Sequence, residues 1–232
     1  MQKGEKNMQY HFKVKAAVIM WAVLLTITPK AHAESGITNL PFASDPTWGV
    51  FNSDPANGVT KFFGFAQNVC LNSLNPQNCP AEAMLYEHGG GWGADLSLFP
   101  EARWIWAPGI SGATYPALPA RFFFSKAFIL AGTPTEGTIS VAADDYAKVF
   151  VNGIAVGTVG SVTDGPTAVA AQSSLTSFDV TEFLIAGLNI ITVRASNGPF
   201  GCGRYAYSCN PAGVVFCGSL TFKKEILSQQ PE

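Results

Sequence analysis

The residues with most to offer chemically are aromatic rings set beside carboxylates and amides. Trp92 lies in the glycine-rich run His88-Gly89-Gly90-Gly91-Trp92-Gly93, with Glu87 and Asp95 close by, and Tyr205, Tyr207 and Asn210 sit in the loop held by Cys202 and Cys209. Such groups suit a pyranose, whose apolar C–H face can lie on an aromatic ring while its hydroxyls bond to carboxylates, amides or a cation. Trp92, Asp95, Tyr205, Tyr207 and Asn210 are therefore the candidate ligand-binding residues. Trp104 and Trp106 read instead as core or sheet-edge residues, since bulky rings mostly bury area.

Asp144 and Asp145 abut a strand start, a place where adjacent carboxylates could ligate a hard cation such as calcium through oxygen. The competing role is turn formation, because Asp so often satisfies its own turn backbone. Asp179, ahead of Val180-Thr181, has the same local capping role. Catalysis finds little footing. There is no Gly-x-Ser-x-Gly elbow, His-Glu-x-x-His motif, phosphate loop or dinucleotide fingerprint. His88 is the one histidine beyond the amino-terminal leader, so a Ser-His-Asp arrangement has a single base to draw on. A carboxylate pair for glycoside hydrolysis would have to be assembled from Glu87, Asp95, Asp144 and Asp145. No enzyme activity is expected.

The five cysteines acquire meaning from the leader. Lys3, Lys6, Lys13 and Lys15 precede the apolar run from Ala16 to Leu25, and Ala31-His32-Ala33 has the small-x-small form that signal peptidase accepts. Residues 1–33 are expected to be a secretory signal, since Thr26, Thr28, Pro29 and Lys30 interrupt the run well short of the roughly 20 apolar residues a membrane span needs. The expected address is secreted, periplasmic or cell-surface. In an oxidising compartment, disulfides are the default. Cys70 with Cys79, and Cys202 with Cys209, each close a local loop, which leaves Cys217 as a buried small hydrophobe. These pairings rest on proximity alone, and five cysteines allow others.

Composition bounds the partners. The formal charge is −2 over 232 residues, and without residues 1–33 nine basic and fifteen acidic groups leave about −6. Nucleic acid is an unsuitable partner for such a chain. The 23 Gly, 15 Pro and 17 Phe point to short strands and tight turns.

Residues 34–101 show little periodicity and read as a loop-rich, aromatic segment packed on the remainder of the chain. Residues 102–232 carry the fold. Phe122–Leu130 is an apolar run, Thr138–Ala143 places Ile139, Val141 and Ala143 on one face, and Ala147–Val151 alternates again. Asn152-Gly153 is a strong hairpin signal, with Ile154–Val159 as the return strand. Asn189–Ala195 and Gly213–Phe222 complete the set, and no helical period of ten residues or more occurs beyond the leader. The expected fold is all-β, an antiparallel sandwich of jelly-roll or immunoglobulin type.

The runs Trp104-Ile105-Trp106, Phe124-Ser125-Lys126-Ala127-Phe128, Ala143-Asp144-Asp145-Tyr146-Ala147-Lys148-Val149-Phe150-Val151-Asn152-Gly153 and Phe178-Asp179-Val180-Thr181, with Gly187-Leu188-Asn189, resemble the galactose-binding-like jelly rolls, in particular the sugar-binding modules of bacterial rhamnosidases and related glycoside hydrolases. The resemblance covers about residues 102–222 and implies a jelly roll, a frequent structural calcium and a sugar site in loops at one end or on one face. It selects a lectin-like, non-catalytic reading with a glycan or polysaccharide as partner and Ca2+ as an accessory ion. The alternative is an extracellular structural component that assembles with other proteins or with itself. A glycoside hydrolase stands third.

Overall fold

The Asn152-Gly153 step makes the turn its residues dictate. Asn152 has φ 52° and Gly153 φ 80°, the left-handed backbone that lets a two-residue loop match the twist of its flanking strands. It joins β9 (Tyr146–Val151) to β10 (Ile154–Gly160), pairing Ile154 with Val151 and Gly160 with Tyr146. The computed structural model describes residues 36–71, 79, 82–86, 91–114, 120–200 and 206–224. The leader expected at residues 1–33 lies outside them, as do Tyr205 and Cys202.

The other strands among the described residues are β1 (Ile37–Ala43), β2 (Gly49–Phe51), β3 (Phe62–Phe65), β4 (Gln67–Leu71), β5 (Met84–Tyr86), β6 (Ile105–Trp106), β7 (Ala120–Leu130), β8 (Thr133–Asp144), β11 (Thr176–Asp179), β12 (Gly187–Asn197) and β13 (Gly213–Lys223). They form two sheets. One runs β11-β8-β13-β6-β4-β5, with β1 also on β13, and the other runs β10-β9-β12-β7-β2-β3. All pairings are antiparallel except β4 with β5. The chain is thus an all-β, two-sheet sandwich. No helix among the described residues is long and apolar enough to cross a membrane.

Alternation decides which side chains meet between the sheets. Ile139, Val141 and Ala143 of β8 are fully buried, as are Val149 and Val151 of β9, Ile191 and Val193 of β12, and Val214 and Phe216 of β13. Rings from the amino-terminal stretch fill the same core. Trp48 meets Phe216 edge-on at 4.5 Å, and Phe42 of β1 lies 5.3 Å from Phe128 of β7. Cys217 is buried and free, and burial pushes its thiol up to about 11, so it behaves as an apolar filler.

Two features differ from the sequence reading. Residues 36–71 do more than pack on the sandwich, because β1, β2, β3 and β4 are members of its sheets. Most are too short to show a period, and β1 contains Pro41, which an edge strand tolerates. The second is a helix, α1 (Gly165–Ser173), capped by Asp164, whose carboxylate accepts from the Thr167 amide at 3.1 Å. Its Ala168 and Ala171 are buried, and it packs on β8 and β10. Asp179 acts as the cap expected of it, accepting from the Thr181 amide at 2.9 Å.

Gly160 ends β10 at φ +77°, and a Cβ there would fall 1.9 Å from the Asp145 carbonyl oxygen. Gly187 opens β12 at φ +91° with nothing within 4 Å of the same position. Gly160→Ala is therefore expected to cost at least about 3 kcal/mol by denaturant unfolding, and Gly187→Ala only the backbone penalty of about 1–2 kcal/mol. Equal losses would contradict the close approach at Gly160.

Candidate functional site

β8 belongs to one sheet and β9 to the other, so the chain must cross between them at Asp144-Asp145. That crossing carries two adjacent carboxylates into the interior, with Asp144 5% and Asp145 2% exposed. Donors from three separate segments meet them. The Trp92 indole Nε1 donates to Asp144 Oδ2 at 2.9 Å, and Gln172 Nε2 of α1 donates to Asp144 Oδ1 at 2.8 Å and reaches Asp145 Oδ1 at 3.4 Å. The Gly198 amide donates to Asp145 Oδ2 at 2.7 Å. Asn210 extends the network, its Nδ2 donating to the Gly198 carbonyl at 2.8 Å while its own carbonyl accepts from Asn197 Nδ2 at 3.2 Å.

This arrangement revises the expected calcium site. N–H groups approach all four carboxylate oxygens of Asp144 and Asp145, and among the described residues no third acidic, histidine or cysteine side chain joins them to build the roughly six to eight oxygen ligands that calcium takes. The pair does not fit a calcium ion. It is instead a polar knot that ties α1, the Trp92 segment and the Gly198 turn to the sheet crossing. Burial raises the Asp144 carboxyl well above the ordinary carboxylate value, with the neighbouring Asp145 charge adding to the effect, and burial likewise raises Asp145. The folded protein thus favours protons on this pair.

The expected ligand residues part company here. Trp92 is 3% exposed, its ring stacked on Trp104 at 4.4 Å and 16° and met edge-on by Tyr86 at 5.8 Å. Its faces are therefore spent on the core, which corrects its reading as an open platform. Gly213 makes this possible, since a Cβ there would lie 2.7 Å from the indole. Tyr207 is 1% exposed and packs near Tyr86, and Asn210 is 4% exposed and spans the network above, so neither offers a ligand an open surface. Asp95 is exposed, with Oδ1 accepting from the Ser97 amide at 2.9 Å, and its bonds to Ser97 hold its carboxyl below the usual range.

Asp95 borders a cavity of about 670 Å3 whose other walls include Glu82, Arg103, Trp104 and the Cys70–Cys79 bridge. Trp92, stacked on Trp104, borders it too. The expected Cys70–Cys79 bridge is present and shapes one side, whereas the expected Cys202–Cys209 bridge involves Cys202, outside the described residues. Glu82 accepts from Asn68 Nδ2 at 3.1 Å, and Arg103 Nη1 donates to the Ala102 carbonyl at 2.9 Å. Each charged group keeps bonding capacity beyond its local partner. Sequence reasoning missed Glu82, Arg103 and Gln172. For Gln172 a signal was present in Asp164-Gly165-Pro166, a cap leading into a helix-compatible proline.

No protein-family model matches the chain, and no curated protein matches it. Solved structures similar to it include a Streptomyces avermitilis α-L-rhamnosidase complexed with L-rhamnose, at 22% identity and TM-score 0.38 over 54% of this chain and 12% of that one. A Lactobacillus rhamnosus β-glucuronidase gives 13% identity and TM-score 0.36, over 82% of this chain and 29% of its own. A putative β-galactosidase from Bacteroides fragilis gives 14% identity and TM-score 0.36, over 79% and 23%. The chain spans less than a third of the length of each of these three proteins.

Because folding raises both buried carboxyls above their unfolded value near 3.8, the stability they contribute is complete in acid and is lost as pH rises through the folded values. Melting temperature is expected to fall as pH rises above about 4, and Asp144→Asn is expected to flatten that slope. Asp95 and Asp179, whose carboxyls are held low, act in the opposite sense but below that pH. A wild-type melting temperature that stays flat or rises as pH climbs from about 4 towards neutrality overturns the assignment.

Proposed function

We propose that the protein is a secreted, non-catalytic carbohydrate-binding module whose glycan site is the cavity bordered by Glu82, Asp95, Arg103 and Trp104. The observation that carries this reading is the lining itself: two carboxylates and a guanidinium around a space of about 670 Å3, backed by a pair of stacked indoles. That volume lies within the range of small-ligand sites. Saccharide hydroxyls both donate and accept, so they pair with carboxylates and guanidinium alike, while a C–H face finds apolar surface at Trp104. The motif resemblance over residues 102–222 favours the same class of ligand, and the Cys70–Cys79 bridge accords with an oxidising compartment. The two acids with raised values, Asp144 and Asp145, are sealed under Trp92 and Gln172 and do not border the cavity, which favours holding a glycan over cleaving it.

A glycan array is expected to return at least one neutral or acidic saccharide. Asp95→Asn and Arg103→Gln are each expected to weaken that binding by about tenfold, with melting temperature little changed for Asp95→Asn because the residue is exposed. A chelator is expected to leave binding intact. Silence across a broad array, or sugar released from the bound glycan, would count against the proposal, the second by restoring the hydrolase reading.

A further inference from the structure

The β10-β9-β12-β7-β2-β3 sheet carries a row of side chains on the face away from the core. Val50, Phe124, Val193 and Val149 are fully buried and stand opposite one another across β2, β7, β12 and β9. Their chain neighbours Phe51, Phe123, Arg194 and Lys148 therefore point the other way. Register makes these a continuous line: Phe62 opposite Phe51, Phe51 opposite Phe123, Phe123 opposite Arg194, and Arg194 opposite Lys148. With strands about 4.8 Å apart, such a line across five strands is roughly 19 Å long.

One end of the line is aromatic. Phe51 lies 5.2 Å from Phe62, which meets Phe65 edge-on at 5.4 Å, and Phe62 and Phe65 are 49% and 54% exposed. Gly49 leaves room for this cluster, since a Cβ there would lie 2.8 Å from the Phe51 ring. The other end is cationic. Arg194 donates from Nη2 to the Tyr146 hydroxyl at 2.9 Å, and the Lys148 ammonium stands 5.3 Å from the Phe150 ring centre. Lys126 with Asp45 is the one ion pair among the described residues, so neither Arg194 nor Lys148 has a carboxylate partner there. Asp54 accepts from Thr192 Oγ1 and the Ala56 amide, and because Thr192 shares the outward side with Arg194, one buried carboxylate stands on this face beside the cationic end without pairing to it.

Exposed rings at one end and cations without carboxylate partners at the other, on a chain of net charge −2, define a local positive, ring-stacking strip. We propose that this face is a second binding surface, separate from the cavity, for an acidic polysaccharide whose sugar rings lie on Phe62, Phe51 and Phe123 and whose carboxylates meet Arg194 and Lys148. Phe62 and Phe65 are exposed and Phe51, Phe123, Arg194 and Lys148 half-buried, while Thr192 beside Arg194 is covered by Asp54, so an extended polymer would rest mainly on the aromatic end and reach the cations at their outer atoms. Polyphosphates fit less well, because their binding rests on many cations along a backbone and the chain as a whole is acidic.

The test uses the full protein with polygalacturonate as probe, dextran as the neutral comparator, and polyuridylate and phosphatidylglycerol vesicles as other polyanions. Polygalacturonate is expected to bind, and to bind at least about tenfold more weakly in roughly 0.5 M NaCl. The double variant R194Q/K148Q and the single variant Phe123→Ala are each expected to lose about tenfold or more, and Glu136→Gln, exposed on β8 of the other sheet, nothing. Arg194→Lys, which keeps the charge, is expected to retain most of the affinity and guards against loss through misfolding. Absence of polygalacturonate binding by the folded wild type overturns the proposal, as does equal affinity in R194Q/K148Q. Equal affinity for dextran, tighter binding of polyuridylate or vesicles, or a dimer abolished by Phe65→Asp would each assign the face to another occupant and overturn it too.

Discussion

Two carboxylates at the point where the chain leaves one sheet for the other set the terms for everything around them. A strand crossing between layers cannot be solvated from both sides, so Asp144 and Asp145 need donors from within the fold. Those donors come from far along the chain: Trp92 before the crossing, and Gln172 and Gly198 after it. The knot therefore fixes three otherwise independent excursions relative to the sheets. It also explains why the Trp92 indole is committed to structure, since its N–H is one of the bonds that make burial of Asp144 tolerable.

That commitment propagates to the cavity. Trp92 stacks on Trp104, and Trp104 precedes β6 directly, so the acid pair, the indole pair and the cavity wall form one chain of contacts. The Val69 amide bonds to the Trp104 carbonyl at 2.9 Å, which ties the wall to β4 and, through Cys70, to the disulfide. The indoles and Val69 that give the cavity its shape are buried, and Asp95, which gives it charge, stands at its margin. Were the proposed glycan to bind there, the buried indoles and Val69 would have little side-chain freedom left to lose.

Much of the fold was legible because β7, β8, β9, β12 and β13 are long enough to show alternation, and Asn152-Gly153 has one favoured conformation. The first third was not, because β2, β5 and β6 span three, three and two residues and are strands only by virtue of their partners. The site was read through residue type, and type does not report burial. Trp92, Tyr207 and Asn210 have the chemistry of a sugar platform but stand inside the core, where the same rings and amide serve packing and hydrogen bonding. Asp144 and Asp145 have the chemistry of cation ligands, but whether carboxylates face a cation or N–H donors depends on segments distant in sequence, here by 27 to 53 residues.

The outward strip illustrates the converse. Its members, Phe51, Phe62, Phe123, Lys148 and Arg194, look unremarkable in sequence, and Arg194 in an alternating strand reads as an outward or paired arginine. Only cross-strand register sets them in a line, and register depends on which neighbours the core claims. Val50, Phe124, Val193 and Val149 face inward because the sandwich needs them, so the alternate residues must face out whatever their polarity. Aromatic side chains left exposed under that constraint cost solvation that charged or small residues would avoid. Polar substitution at Phe62 or Phe65 would leave the core untouched, so packing between the sheets does not require those rings. The ligand contact proposed above would give those rings a use that the core does not.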